Sequence, residues 1–235
     1  MRNIERIIRE RHLLKHPFYV AWSCGEVPIE TLRTYAGQYY HFERNFPRFV
    51  AGAYARIEDP IARRTLLENL VDEEGRDPTH PELWLRFGEA IGASRGSITR
   101  ATPHRATKSL LETYERFALH GSAPEALGAL YAYESIFPEV AAEKARGLRT
   151  HYGVHSRRGL EFFRVHTEAD VEHSAAERAI LRRESARSPD AARAAERATE
   201  RTIGAWWKFL DAFRPFGNAR SPTGATAADA RRVGA

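Results

Sequence analysis

Three residues in the C-terminal third of the chain, His166, Asp170 and His173, have side chains that bind metal ions. On an α-helix, residues at i, i+4 and i+7 lie along one face within about two turns, so these side chains could converge on one centre. A solvated helix face can carry the same residues at this spacing. Three further residues offer the same chemistry: Glu73, His80 and Glu134. Together these donors would suit two iron or manganese ions, which accept oxygen and nitrogen ligands.

The Glu73 and His80 pair has an unusual spacing. Helical bundles commonly build carboxylate di-metal sites from two Glu-x-x-His motifs, and this sequence contains none. Glu73 and His80 are instead seven residues apart, with Pro78 between them, so we expect them to flank a helix end. Glu74 is the alternative ligand if the register is shifted by one residue, but the spacing to His80 favours Glu73.

Helical periodicity extends over almost the whole chain. Apolar residues recur at intervals of three and four, and alternating strand patterns bounded by tight turns are missing, so the sequence predicts an all-α fold. The predicted helices cover approximately residues 3–14, 29–56, 60–75, 81–91, 105–120, 123–150, 155–187 and 189–213. We expect one helical domain over residues 1–216, without internal repeats. Residues 217–235 have almost no large apolar side chains, which predicts a disordered tail.

The composition excludes several classes of protein. The net charge is +5, but the arginines alternate with glutamates on helical segments, which is typical of solvated faces and argues against nucleic-acid binding. Cys24 is the only cysteine, so an intramolecular disulfide is impossible and a thiolate metal cluster is not expected. No apolar run approaches the roughly 20 residues of a membrane span or resembles a signal peptide. We therefore expect a cytoplasmic protein that does not bind membranes.

The oligomeric state is left open by the sequence. The last predicted helix ends in a group of large apolar residues, Trp206, Trp207 and Phe209. Such a group could form the interface of a homodimer or could cap the helical bundle of a single chain.

Four stretches together carry a specific resemblance: QYYHFERNFPRF, NLVDEEGRDPTHPELWLRFGEAIG, ALYAYESIFPEVAAEKARGL and FFRVHTEADVEH. They resemble the haem-oxygenase-like di-metal oxidases, and within that group the branch typified by the chlamydial protein associating with death domains (CADD), which is related to TenA and PqqC. The resemblance covers approximately residues 10–213 and implies a bundle of seven or eight helices around a buried di-metal centre. It places the metal ligands of that branch on Glu73, His80, Glu134, His166, Asp170 and His173.

The resemblance also implies a reaction. The CADD-like branch makes p-aminobenzoate, a folate precursor, from one of its own tyrosines, with a lysine of the same chain as amino donor. The matching residues are Tyr19 for the sacrificed ring and Lys144 for the donor, and Tyr35 and Tyr133 match other site tyrosines. The implied cofactors are two metal ions, Fe/Fe or Fe/Mn, with O2 and an external reductant as the reaction partners.

Two structural expectations follow from these roles. A lysine supplies nitrogen only as a neutral amine, so we expect Lys144 to be buried. Ten residues of regular helix would separate Glu134 from Lys144 by about 15 Å, so we also expect a bend between them, for which Pro138 gives a physical reason.

Other functions remain open at this point. The same scaffold could oxidise an external small molecule such as a fatty acid or an amino acid, or could act as a cofactor-free oxidase of the PqqC kind. A protein-interaction module is disfavoured, because burying six polar ligands would be costly without a metal. Thiaminase activity is disfavoured because no cysteine lies near residues 132–135.

Overall fold

The computed structural model describes residues 1–214, without the side chains of residues 168 and 169. All regular secondary structure in this part of the chain is helical. The α-helices are α1 (Arg2–Glu10), α2 (Pro17–Cys24), α3 (Ile29–Glu43), α4 (Phe46–Tyr54), α5 (Pro60–Glu74), α6 (His80–Ala90), α7 (Arg95–Thr99), α8 (Arg105–Tyr114), α9 (Ala123–Glu134), α10 (Phe137–His151), α11 (Arg157–Ser185) and α12 (Pro189–Asp211). A 3-10 turn (Leu13–Lys15) follows α1, and a π-helical turn (Glu115–Leu119) follows α8. The predicted all-α fold class is confirmed.

Two long predicted helices are each divided in two. The predicted helix over residues 29–56 becomes α3 and α4, and that over residues 123–150 becomes α9 and α10. Pro47 and Pro138 lie in the first turn of α4 and α10. A proline ring clashes with the carbonyl group four residues earlier, which belongs to Glu43 in one case and to Glu134 in the other. The bend expected from Pro138 is therefore present, and Pro47 produces a second one that we did not predict.

Helix α2 was not predicted from the sequence. It begins at Pro17, and a proline is well tolerated in the first turn of a helix. The helix is capped by the ring of His16, whose Nδ1 accepts a hydrogen bond from the backbone N–H of Phe18 at 3.1 Å. The short helix α7 was missed as well. Helix α2 carries Tyr19, so this element positions a candidate catalytic residue.

Helix α9 lies at the centre of the bundle. It packs against α12, α11 and α4, and all but two of its residues are buried. Around it, α3, α5, α6, α10 and α11 turn one face toward a common interior. The largest fully buried side chains include Trp22, Trp84 and Trp206, so aromatic rings form much of the core. The interior that receives the candidate ligands is thus enclosed by helices on several sides.

The C-terminal aromatic group packs inside the chain. Trp206 and Phe209 are both 0% exposed, while Trp207 is partly exposed and donates a hydrogen bond from Nε1 to the carbonyl of Arg11 at 2.8 Å. The sequence left open whether this group forms a dimer interface or caps the bundle, and Trp206 and Phe209 pack within the bundle of their own chain. The predicted tail over residues 217–235 lies outside the described residues. Within residues 1–214, no helix combines the length and apolar character needed to cross a membrane.

Candidate metal centre and aromatic pocket

Four buried side chains bring potential metal donors together at the centre of the bundle. They are Glu43 from α3, Glu73 from α5, His80 from α6 and His166 from α11. One donor atom of each lies within 4.8 Å of the corresponding atoms of the other three. A metal ion bound about 2.0–2.2 Å from its ligands needs donors spaced by roughly 3–4 Å, so this group is close to the geometry that an ion requires. We refer to these four residues as the inner group.

The helix ends position Glu73 and His80 as the sequence suggested. Glu73 is 2% exposed near the end of α5, whereas Glu74 points to solvent, so the expected register is observed. His80 is the first residue of α6, which is capped by Thr79. Glu73 Oε2 and His80 Nδ1 are 2.8 Å apart. At this distance the His80 imidazole donates a hydrogen bond to the Glu73 carboxylate, and both groups are ligand types for a metal ion.

Glu43 was not predicted as a site residue, although the sequence contains a signal for it. The segment Glu43–Pro47 reads E-R-N-F-P, and the segment Glu134–Pro138 reads E-S-I-F-P. In both segments a helix ends at the glutamate, and the phenylalanine begins the next helix. Both glutamates are at most 3% exposed. The shared pattern E-x-x-F-P therefore marks two corners at which a carboxylate is turned inward, and it is the short repeat that the sequence analysis overlooked.

The other predicted ligands, Glu134, Asp170 and His173, form a looser group beside the first. Glu134 and Asp170 are 1% and 2% exposed, and the Asn69 amide donates hydrogen bonds to both oxygens of Glu134 at 3.1 and 3.2 Å. His173 Nδ1 lies 3.9 Å from Asp170 Oδ1, and His173 Nε2 is 3.0 Å from Asp72 Oδ2. None of these three predicted ligands belongs to the inner group. Asn69 and Asp72 are neighbours of the site that the sequence did not identify.

The carboxylates in this interior are buried close to one another, and this shifts the pKa values of several ionisable side chains. Burial, followed by repulsion from Glu73, raises the pKa of both Glu43 and Glu134, and burial with repulsion from Glu134 raises that of Asp170. For His80, burial opposes protonation, but the Glu73 carboxylate prevails and raises the pKa to about 9. Burial lowers the pKa of His166, which favours the neutral imidazole that binds metals.

The donor set fits a pair of iron or manganese ions. It contains carboxylate oxygens and imidazole nitrogens and no sulfur, which suits these metals. Within residues 1–214, Glu43 Oε1 and His173 Nδ1 are buried without a hydrogen-bond partner, and buried polar atoms of this kind are rare unless something else binds them. Bound cations would also neutralise carboxylates that otherwise repel one another.

Lys144 occupies an aromatic pocket next to the inner group. Its side chain is 0% exposed, and its Nζ has no hydrogen-bond partner within the described part of the chain. Six ring centroids surround Nζ at 4.8–6.0 Å: those of Tyr39, Phe137, Tyr35, Tyr19, Trp84 and Phe163. Burial holds the pKa of Lys144 well below its usual value, and Glu43 offsets this only in part. The predicted burial of Lys144 is confirmed, and this burial favours the neutral form of its amine.

Of the tyrosines named from the sequence, Tyr19 and Tyr35 line this pocket, and Tyr133 contacts it through Tyr39. Tyr19 is 2% exposed, and its hydroxyl is 3.2 Å from that of Tyr35. Tyr133 forms a hydrogen bond with Tyr39, whose hydroxyl also neighbours the Glu43 carboxylate. Burial raises the pKa of all four phenols, so they remain protonated. Tyr39 was missed by the sequence analysis, although it precedes Glu43 by one helical turn and therefore shares its face of α3.

An all-α bundle with carboxylates and imidazoles turned into its interior is typical of proteins that bind non-haem metal ions. The sequence model of the family described as iron-containing redox enzymes matches residues 33–207. The chain belongs to this family, which has the haem-oxygenase-like fold.

Several curated relatives of this chain are synthases of one small molecule. The chain is 37% identical to a 4-aminobenzoate synthase of Chlamydia muridarum over 89% of this chain and 88% of the relative. It is 38% identical to a 4-aminobenzoate synthase of Nitrosomonas europaea over 88% of both chains. Among solved structures, a TenA homologue from Pseudomonas syringae superposes with a TM-score of 0.76 at 15% identity, covering 90% of this chain and 89% of that one. The implied haem-oxygenase-like bundle is thus confirmed.

Proposed function

We propose that this protein is a self-sacrificing 4-aminobenzoate synthase that uses a pair of metal ions and O2. Tyr19 supplies the ring of the product, and Lys144 supplies its nitrogen. The metal ions are Fe/Fe or Fe/Mn, held by Glu73, His80, Glu134, His166, Asp170 and His173, with Glu43 as an additional carboxylate. Identity of about 37% to curated 4-aminobenzoate synthases over most of the chain supports the reaction class.

One observation carries the assignment of the two sacrificial residues. The Nζ atom of Lys144 lies 5.4 Å from the ring centroid of Tyr19, in a pocket where neither side chain is more than 2% exposed. A structural lysine normally keeps its ammonium group in water or in an ion pair, because burying an unpaired charge is costly. An amine that is desolvated among aromatic rings is instead a nucleophile in its reactive protonation state.

The packing also favours an internal substrate over an external one. Aromatic rings fill the space around Nζ, so an external fatty acid or amino acid could reach this amine only by displacing side chains of the core. The reacting tyrosine and lysine are already held next to each other by α2 and α10. Such positioning replaces the encounter between two separate reactants.

The residues of the chain have distinct tasks in this reaction. The product has seven carbons, which the Tyr19 ring and its Cβ supply when the Cα–Cβ bond is broken and O2 oxidises Cβ to the carboxyl carbon. The Cε–Nζ bond of Lys144 breaks, with Cε taking up an oxygen atom, while the nitrogen bonds to the ring and the phenolic oxygen leaves as water. When bound, the metal pair activates O2, and the external reductant provides the remaining electrons. Tyr35 holds the Tyr19 hydroxyl through the contact at 3.2 Å. Tyr39 and Tyr133 share a hydrogen bond at the boundary with the inner group, where a proton can be held beside Glu43.

An isotope experiment tests the proposal. Protein with 13C in its tyrosines and 15N in its lysines is loaded with iron and manganese without oxygen and is then exposed to O2 and a reductant. We expect doubly labelled 4-aminobenzoate by mass spectrometry, with a matching loss of mass in the peptide that contains Tyr19. Tyr19→Phe should abolish the product, whereas Tyr54→Phe, at a partly exposed tyrosine outside the pocket, should not.

Two outcomes would overturn the proposal in different ways. Oxygen consumption without a labelled product would leave the metal centre in place and move the search to external substrates such as fatty acids and amino acids. Labelled product from the Tyr19→Phe variant would retain the reaction but assign the sacrificed ring to another tyrosine of the pocket.

A further inference from the structure

Glu177 is a buried carboxylate to which neither the sequence nor the proposed reaction gives a role. It is 1% exposed and lies on α11, four residues after His173 and seven after Asp170, so it extends the same helix face by one turn. Among the described residues, no N–H or O–H group donates to either of its oxygens. A buried carboxylate with two unpartnered oxygens is costly unless a cation or a shared proton compensates it.

The surroundings of Glu177 make a cation the better compensation. Its nearest charged neighbours, Glu134 and Asp170, are themselves buried carboxylates. One proton could be shared between Glu177 and Glu134, but this would leave Asp170 without a partner charge. The Asn69 amide is neutral and is already bonded to Glu134. Three clustered carboxylates and the unpartnered His173 Nδ1 form a donor set suited to a divalent ion.

A surface cleft between α5 and α11 leads to these donors. Its volume is about 770 Å³, and its lining includes Asn69, His173 and Glu177 at the inner end. Glu68 and Glu172 lie at its exposed rim and attract cations, although Arg64 and Arg76 also line the cleft. Of the six ligands predicted from the sequence, His173 is the one that lines the cleft. The inner group, by contrast, contributes no residue to this cleft.

We propose that Glu177 is a ligand of the second metal position, together with Glu134, Asp170 and His173, and that the cleft is the route by which this ion is exchanged with solvent. The inference rests on the metal pair of the proposed function but not on its product. It makes the two positions unequal. The outer ion, held at the end of the cleft, exchanges faster than the ion bound by the inner group.

Metal binding by Glu177→Gln tests the ligand role. Metal-free protein is titrated with Mn(II) without oxygen, and bound ions are counted from the EPR signal of free Mn(II) and by elemental analysis. We expect wild-type protein to bind two ions, and the substitution to weaken one of them at least about tenfold while the other is retained. Glu112→Gln is the control, because it removes the same charge from an exposed helical position that does not line the cleft.

The access route is tested by Val71→Trp, which narrows the cleft at a residue that is 49% exposed. We expect the loss of one ion to a chelator to slow at least about tenfold, with the affinities for both ions unchanged. Ile61→Trp serves as the control, since Ile61 is an exposed residue of α5 that does not line the cleft. Because Val71 is not a ligand, this variant tests the proposal even if Glu177→Gln does not fold.

The outcomes separate this proposal from the proposed function. Two ions bound by Glu177→Gln with wild-type affinity would remove Glu177 from the ligand set, whether or not 4-aminobenzoate is formed. Unchanged chelation kinetics in Val71→Trp would overturn the access route. A wild-type protein that binds no metal under these conditions would overturn the metal pair itself, and with it both proposals.

Discussion

The interior of this protein contains two adjacent regions that bury ionisable groups in opposite ways. In the aromatic pocket, a single amine, that of Lys144, is surrounded by rings at 4.8–6.0 Å and has no polar partner within residues 1–214. In the metal region, several carboxylates and imidazoles are crowded together, with Glu43, Glu73, His80 and His166 converging within 4.8 Å. Among the described residues, the first region offers its amine no hydrogen-bond partner that would stabilise a positive charge. The second contains several carboxylates whose negative charges repel one another.

The difference indicates how each region is stabilised. An isolated buried amine can lose its proton and become neutral, so the aromatic pocket needs no further component. Clustered carboxylates repel one another, so the metal region needs added protons or cations, and the metal ions of the proposed function would supply the cations. Glu43 lies at the boundary between the two regions. Its carboxylate partly offsets the lowering of the Lys144 pKa, and it is also a member of the inner group.

The largest expected effect comes from removing the amine of the aromatic pocket. Lys144→Met should reduce 4-aminobenzoate formation to background, because no other buried lysine is described to supply nitrogen. Product is measured by mass spectrometry, and metal content is measured in parallel. Lys108→Met, at an exposed lysine, is the control and should behave as wild type. Undiminished product from Lys144→Met would contradict the role of the aromatic pocket as the source of the nitrogen.

Glu73→Gln should break the metal region while leaving the aromatic pocket intact. Glu73 belongs to the inner group and contacts His80, so we expect the metal content after anaerobic loading to fall by at least one ion per chain. The measurement is elemental analysis of the desalted protein. Glu74→Gln is a control one residue away on the exposed side of α5, and equal losses in both variants would contradict the ligand role of Glu73.

The stability of Lys144→Met should depend on pH. The pKa of Lys144 is lowered in the folded state, so between that lowered value and 10.5 the unfolded chain binds more protons at this residue than the folded chain does. The contribution of Lys144 to stability should therefore rise as the pH rises toward 10.5, the ordinary lysine value, and comparison with Lys144→Met isolates it from the contributions of the buried carboxylates. We expect Lys144→Met to raise the free energy of unfolding by about 1–3 kcal/mol at pH 7, and by less at pH 10. Urea unfolding of metal-free protein at the two pH values measures this, and a gain independent of pH would indicate that packing alone is responsible.

The smallest expected effect concerns a neighbour of the metal region. Asn69→Ala removes both hydrogen bonds that orient the Glu134 carboxylate. We expect the affinity for one ion to fall by roughly tenfold, because groups that orient metal ligands contribute on this scale. Competition with a fluorescent chelator measures the change. An affinity that does not respond would indicate that Glu134 is positioned by its helix alone.

The sequence was most informative where local chemistry is decisive. Helical periodicity predicted the fold class, and the position of Pro138 predicted the bend that separates Glu134 from Lys144. The spacing between Glu73 and His80 predicted that Glu73, and not Glu74, faces the interior. Helix α2 was missed because a proline can either interrupt a helix or begin one, and the choice depends on the residues that precede it, here the capping ring of His16.

The site residues that were missed share a different property. Glu43, Asn69 and Glu177 are polar residues on helices, and such residues are usually solvated. The repeated E-x-x-F-P pattern was available for Glu43, but its meaning depends on knowing that both corners face one interior. Glu177 could have been found by continuing the face of His166, Asp170 and His173 for one more turn.

By itself, the sequence determined that the chain is helical and which residues could bind metal or donate nitrogen, because periodicity and side-chain chemistry are local properties. Only the tertiary structure decided that Glu43 joins Glu73, His80 and His166, and that Lys144 is enclosed by aromatic rings beside them. These groups come from different helices, and the distances between them are set by how the helices pack. Whether a buried charge is neutralised, paired or completed by a cation depends on that packing.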